Sequence, residues 1–167
     1  MNLTTGPLFL IYINDLPELC AAEDPTSEIY LYADDSKIYK VIHNRSDEKK
    51  LQSVMNLVKN WSDEWLLRLN IDKCKSVSYS IKHTIDTQYH IMDRNQSHPL
   101  EKLNSIVDLG VHFDSNLTFK DHISEKINKA YSVLGIIKRN FIYMDEHTFI
   151  LLYKAMVRPH VEFANSV

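Results

Sequence analysis

Two adjacent carboxylates, Asp34 and Asp35, interrupt the stretch "IYLYADDSKIY" (Ile29–Tyr39), which is otherwise rich in Ile, Leu, Tyr and Ala. An uncompensated buried carboxylate is expensive, and a second beside it adds repulsion to desolvation. The pair is therefore either an exposed acidic turn or a site that expects a cation. Carboxylates gathered at a strand end suit Mg²⁺, which binds through one or two carboxylates together with substrate phosphates. Two such ions about 3.5–4 Å apart stabilise the attacking and leaving oxygens of a phosphoryl transfer. That chemistry needs a further carboxylate from another strand, and for a lone pair the acidic turn is the commoner explanation.

Other chemistry-bearing residues form no cluster in the sequence. Cys20 and Cys74 stand far apart and outside any CxxC pattern, which fits a reduced intracellular setting. The eight histidines make no HxxxH or HExxH pair, so a zinc site has little support. The formal net charge is −3, unevenly spread. Residues 1–114 carry 12 Lys and Arg against 17 Asp and Glu, whereas residues 115–167 carry 7 against 5. Much of the later excess lies in Lys120, Lys126, Lys129, Lys138 and Arg139. An acidic first part followed by a basic helix suits a metal site beside a phosphate-binding surface. A solvated helix face accounts for the charges equally well.

The elements that must position these residues follow from periodicity. "GPLFLIYINDLP" predicts a short buried helix with Pro7 at its first position and Pro17 near its end, and "ELCAAEDPTSE" predicts a loop. Ile29, Leu31 and Ala33 alternate with Tyr30, Tyr32 and Asp34, and the alternation resumes in "SKIYKVI", which predicts a hairpin with the carboxylates at its apex. Asp34 is expected to continue the Tyr30/Tyr32 face, with Asp35 in the turn. Leu51, Val54, Met55, Val58, Trp61 and Trp65 predict an amphipathic helix capped by Asn44 or Ser46. "KSVSYSI" predicts a strand, residues 83–104 a loop with a short strand at "QYHIM", and "SIVDLGVHF" a further strand with Gly110 as a bend or a point of close backbone approach. Two C-terminal helices are expected. Thr118 caps the first, lined by Ile123, Ile127, Ala130, Leu134 and Ile137. The second starts near Asp145, is lined by Phe149, Leu152, Tyr153 and Met156, and stops before Pro159. The class is α+β. Length and a hydrophobic content of 44% allow one domain or two small ones. No apolar run reaches the ~20 residues of a membrane span, and no basic leader with a cleavage site is present, so an intracellular protein is expected.

Tyr32-Ala33-Asp34-Asp35 resembles the catalytic hairpin of reverse transcriptases, and the blocks around it resemble the non-LTR, jockey-like retrotransposon enzymes. These blocks are "GPLFLIYINDLP" before the hairpin, "WLLRLNIDKCKSV" after it, "DLGVHFDSNLTFKDHI" at the entry to the thumb and "LYKAMVRPHVEFANSV" at the end. The resemblance implies a partial polymerase palm of antiparallel strands with packed helices over 1–113, then a small helical thumb over 114–167. It also implies Mg²⁺ at Asp34 and Asp35, and an RNA template, a DNA primer and a deoxynucleoside triphosphate as partners in a full-length RNA-directed DNA polymerase. Tyr32 and Ala33 match positions beside the primer end and incoming nucleotide. Lys73 matches a lysine that assists pyrophosphate departure, and Leu109 and Gly110 fall on the primer-grip strand. The basic helix, with Lys126, Lys129, Lys138 and Arg139, is then expected to track the template–primer backbone, because cations neutralise phosphates without reading sequence.

The residues before Gly6 match neither the family's strand bearing the first catalytic aspartate nor its Pro-Gln-Gly-Ser segment. The fingers find no counterpart either. An incomplete two-metal site, without turnover by this chain alone, is expected. The alternatives are a non-catalytic retrotransposon remnant and a nucleic-acid-binding or protein-interaction module.

Overall fold

A computed structural model describes Phe9, residues 11–80 and residues 85–165. Pro7 and the start of the first expected helix lie outside these residues, as do Ile81 and residues 83–84. The chain divides into two compact units, Met1–Ser76 with His83–Lys102, and Val77–Lys82 with Leu103–Val167. Residues 105–114 therefore group with the C-terminal helices.

In the first unit, helix α1 (Leu16–Glu23) carries Pro17 in its first turn, where the missing N–H is no loss. Pro17 thus opens a helix where the sequence suggested an end and a loop. Leu16 and Cys20, four residues apart, are both buried and supply the reason. Strands β1 (Glu28–Tyr32) and β2 (Asp35–Tyr39) form the expected antiparallel hairpin. Helix α2 (Arg45–Glu64) begins at Asn44, whose side chain accepts the Ser46 and Asp47 amides while Asp47 reaches back, completing a capping box. At its other end, Leu66 adopts φ +58 and the Leu67 amide bonds to the Ser62 carbonyl, the geometry of a Schellman close.

Helix α2 serves two cores. Val54, Val58 and Trp61 pack with Leu16 and Cys20, against Ile29, Leu31 and Ile38 of the hairpin. Leu51 and Met55 turn to Tyr89, Ile91 and Leu100. Ile29, Leu31 and Ile38 are partly buried, so each contributes less than the about 1.5–3 kcal/mol of a fully buried aliphatic side chain, and together they hold the hairpin to the helix. Trp61 is buried and donates its indole N–H to Asp15 at 3.2 Å, whereas Trp65 is half-exposed.

After a 3₁₀ turn (Ile71–Lys73), strand β3 (Lys75–Val77) pairs with β6 (Glu101–Leu103). Between them, β4 (His90–Asp93) and β5 (Gln96–Pro99) form a hairpin where the sequence suggested a loop with one short strand. Arg94 and Asn95 make its turn with φ of +45 and +66, both left-handed as a type I′ turn demands.

In the second unit, "SIVDLGVHF" is not one bent strand but a hairpin. Strand β7 (Ser105–Asp108) pairs with β8 (Val111–Asp114) across a turn at Leu109 and Gly110, with φ of +46 and +82. Helix α3 (Lys120–Asn140) is not capped by Thr118. Its N-cap is Phe119 at φ +54, and the Asp114 carboxylate accepts the amides of Asn116, Thr118 and Phe119. Helix α4 (Glu146–Leu152) starts beside Asp145, as expected, and the Asp145 side chain caps it by accepting the Thr148 amide. The chain does not stop before Pro159. It widens into a five-residue π turn (Tyr153–Val157), in which the Arg158 amide reaches the Tyr153 carbonyl, and continues as α5 (Arg158–Glu162). The proline ring excludes a normal turn before it, and widening relieves the clash. Ala130, Ile137 and Val157 form this unit's core with Val133, Leu134, Met144 and Leu152. Ile123, Ile127, Phe149, Tyr153 and Met156 are instead exposed. The described residues are thus α+β with small sheets, and none of their helices is long and apolar enough to cross a membrane.

Candidate metal hairpin and basic helix

The β1–β2 register places Ile29 opposite Ile38, Leu31 opposite Ser36 and Tyr32 opposite Asp35. Because paired residues share a face, Ile29, Leu31 and Ile38 line the inner side. Tyr30, Tyr32, Asp35, Lys37 and Tyr39 line the outer one. The expected arrangement of the carboxylates is thereby exchanged. Asp35 continues the Tyr30/Tyr32 face, and Asp34, with Ala33, occupies the two-residue turn. Ala33 has φ +52 while Asp34 stays out of the left-handed region, the sign pattern of a type II′ turn. Alanine at a position that favours glycine is backbone strain held at the apex.

Both carboxylates are exposed. On the outer face, Tyr30 packs edge-on against Tyr39 at 5.5 Å and donates to Glu28 at 2.6 Å, a bond that pushes the Tyr30 phenol up. The base of the hairpin is anchored by Lys40, which pairs with Asp24 in a buried contact that also includes Thr26 and Ser27. Burial raises the Asp24 pKa, but the hydrogen bonds from Lys40, Ser27 and Thr26 outweigh it and hold the group well below the carboxylate range.

Two neighbouring carboxylates match the protein's share of one Mg²⁺ site. They do not by themselves complete a two-ion site, and among the described residues no three His, Cys, Asp or Glu side chains gather as a metal would require. Lys73 lies in the same unit as the hairpin, exposed on the 3₁₀ turn, its amide bonded to the Asn70 carbonyl at 3.0 Å. Leu109 and Gly110 form the β7–β8 turn of the other unit.

Lys126, Lys129, Lys138 and Arg139, four of the five cations of α3, do not make one stripe. At about 100° per residue, Lys126 falls on the side of Ala130 and Ile137, Lys129 and Lys138 flank that side in opposite directions, and Arg139 faces away. Lys129, Lys138 and Arg139 are exposed, but the Lys126 side chain is only 19% exposed. Its ammonium donates to the Gly110 carbonyl at 3.3 Å and to Glu125 at 3.4 Å, and lies 4.6 Å from the centre of the Phe163 ring. Glu125 also pairs with His112. Partial desolvation raises the Glu125 pKa, and Lys126 and His112 more than reverse it. The shared side of Lys126, Ala130 and Ile137 was present in the spacing. The roles of Phe163 and His112 carried no sequence signal, since their meeting with α3 depends on how α5 and β8 pack on it.

No protein-family model matches the chain, and no solved structure matches it. The chain is similar to the probable RNA-directed DNA polymerase from transposon X-element of Drosophila melanogaster, at 22% identity over 167 aligned residues. That alignment covers 95% of this chain and spans only 18% of that protein. The relationship is a distant one, to a transposon RNA-directed DNA polymerase.

Proposed function

We propose that the chain is a segment of an RNA-directed DNA polymerase of the non-LTR, jockey-like kind, with a partial palm over 1–113 and a thumb over 114–167. The single observation that carries this is the β1–β2 hairpin, which presents Tyr32-Ala33-Asp34-Asp35 across a two-residue turn with both carboxylates exposed. The distant similarity supports it from an independent direction.

In this reading, Asp34 and Asp35 hold Mg²⁺, which when bound would neutralise charge on the transferring phosphate. Tyr32 and Ala33 border the primer end. Lys73 meets the leaving pyrophosphate, and Leu109 and Gly110 contact the primer strand. Lys129, Lys138 and Arg139 neutralise phosphates of the RNA–DNA hybrid. The second ion's remaining ligand comes from outside the described residues, whose carboxylates offer no such cluster. Residues 1–167 alone are therefore expected to bind hybrid without template-dependent incorporation. That behaviour also fits a non-catalytic remnant, which the two-carboxylate site favours for the isolated chain.

The test uses Mn²⁺ as the probe and the purified chain. Paramagnetic broadening of amide resonances is expected to centre on Tyr32–Ser36 and to vanish in Asp34→Ala/Asp35→Ala. Broadening that survives in the double variant would remove the metal assignment. An RNA–DNA hybrid titrated at low salt is expected to bind, and no binding would remove the nucleic-acid role. In a polymerase carrying this segment, Asp34→Ala is expected to slow primer extension by about a hundredfold or more.

A further inference from the structure

Lys126 is set apart from the other cations of α3 by where its three donors go. One bonds to the Gly110 carbonyl at 3.3 Å, another to Glu125 at 3.4 Å, and the ammonium also sits 4.6 Å from the centre of the Phe163 ring. Phe163 in turn lies over the turn that Lys126 grips. A Cβ placed on Gly110 would meet its ring carbon Cζ at 3.2 Å. Behind them His122 is buried, with ring centres 6.2 Å from His112 and 6.1 Å from Phe163, and its Nδ1 accepts the His112 amide at 3.4 Å. Strand β8, helix α3 and the residue after α5 are thus tied at one point, the tip of the β7–β8 hairpin.

We propose that Lys126 and Phe163 form a latch that sets the Leu109–Gly110 turn, making Lys126 a positioning residue and not a phosphate contact. The role in hybrid binding rests on the reading of this unit as a thumb, but the latch itself belongs to the free chain. To reach a phosphate, the ammonium would have to leave the Gly110 carbonyl and the ring together. Lys129 and Lys138 face no such loss.

Two measurements on residues 1–167 decide this. The first is the salt dependence of binding to an RNA–DNA hybrid. A lysine that neutralises a phosphate contributes about 0.9 to the slope of log affinity against log salt. Lys129→Met and Lys138→Met are expected to lower the slope by about that much, whereas Lys126→Met weakens binding by the same factor at every salt concentration. A slope lowered by about 0.9 in Lys126→Met would make it a phosphate contact and overturn the proposal. The second is amide hydrogen exchange at Leu109–His112 without nucleic acid. Lys126→Met and Phe163→Leu are each expected to speed exchange roughly tenfold, the double variant little further, and Lys126→Arg to retain protection. Unchanged exchange in both single variants would overturn the latch. If no variant binds hybrid, the nucleic-acid reading fails while the exchange measurement still decides the latch.

Discussion

The two hairpins β1–β2 and β7–β8 have the same two-residue connection and opposite treatment of their tips. The first is anchored at its base, where Lys40 and Asp24 form a buried pair, and its tip carries Ala33 in a left-handed conformation with two exposed carboxylates. The second is held at its tip, where Gly110 takes φ +82 beneath Phe163 and its carbonyl accepts from Lys126. Strain at an open tip must be sustained from elsewhere in the hairpin. A tip that is part of the packing can be satisfied within its own unit.

The contrast can be broken most forcefully at the base of the first hairpin. Asp24→Asn leaves Lys40 buried without its counter-charge and is expected to cost about 3 kcal/mol at neutral pH, measured by urea unfolding. The effect depends on pH in a defined sense. The Asp24 pKa is depressed in the folded chain, so its contribution is complete above the unfolded value of about 4 and is lost as pH falls below it. The gap between wild type and variant should therefore narrow in acid, and a gap that widened would contradict the buried pair.

Exchanging glycine and alanine between the tips gives smaller effects of opposite sign. Gly110→Ala is expected to destabilise by about 1–2 kcal/mol. The positive φ sets most of this, because the half-exposed Phe163 can shift away from a new methyl. Ala33→Gly is expected to stabilise by about 0.5–1 kcal/mol, since glycine takes φ +52 without strain. Thermal melts of the two variants check the signs. The smallest change is Asp34→Asn, expected to leave the unfolding free energy within about 0.5 kcal/mol of wild type while abolishing Mn²⁺ broadening at the tip. A large loss of stability there would mean that the carboxylate is structural.

Much of this was legible in the sequence where local signals agreed. The Asn44 cap, the acidic first turn and the apolar spacing of α2 all pointed one way, and the helix runs Arg45–Glu64. The β1–β2 hairpin was legible from alternation, although which aspartate shares the tyrosine face was not. Adding or removing one turn residue exchanges the faces, and only the Tyr32–Asp35 pairing decides between them. The β4–β5 and β7–β8 hairpins were missed because their turns use Arg94-Asn95 and Leu109-Gly110, which lack the strongest turn signals.

By itself the sequence determined the α+β class, the capped helix α2 and the placing of Asp34 and Asp35 at a strand turn. Each rests on residues within a few positions of one another. Only the tertiary structure decided that Pro17 opens a helix and that the C-terminal helix widens and continues past Pro159. It also decided that Lys126 turns to Gly110 and Phe163, from which it is 16 residues distant in one case. Those outcomes depend on which surfaces bury which, and spacing along a chain does not say what packing will bring to meet it.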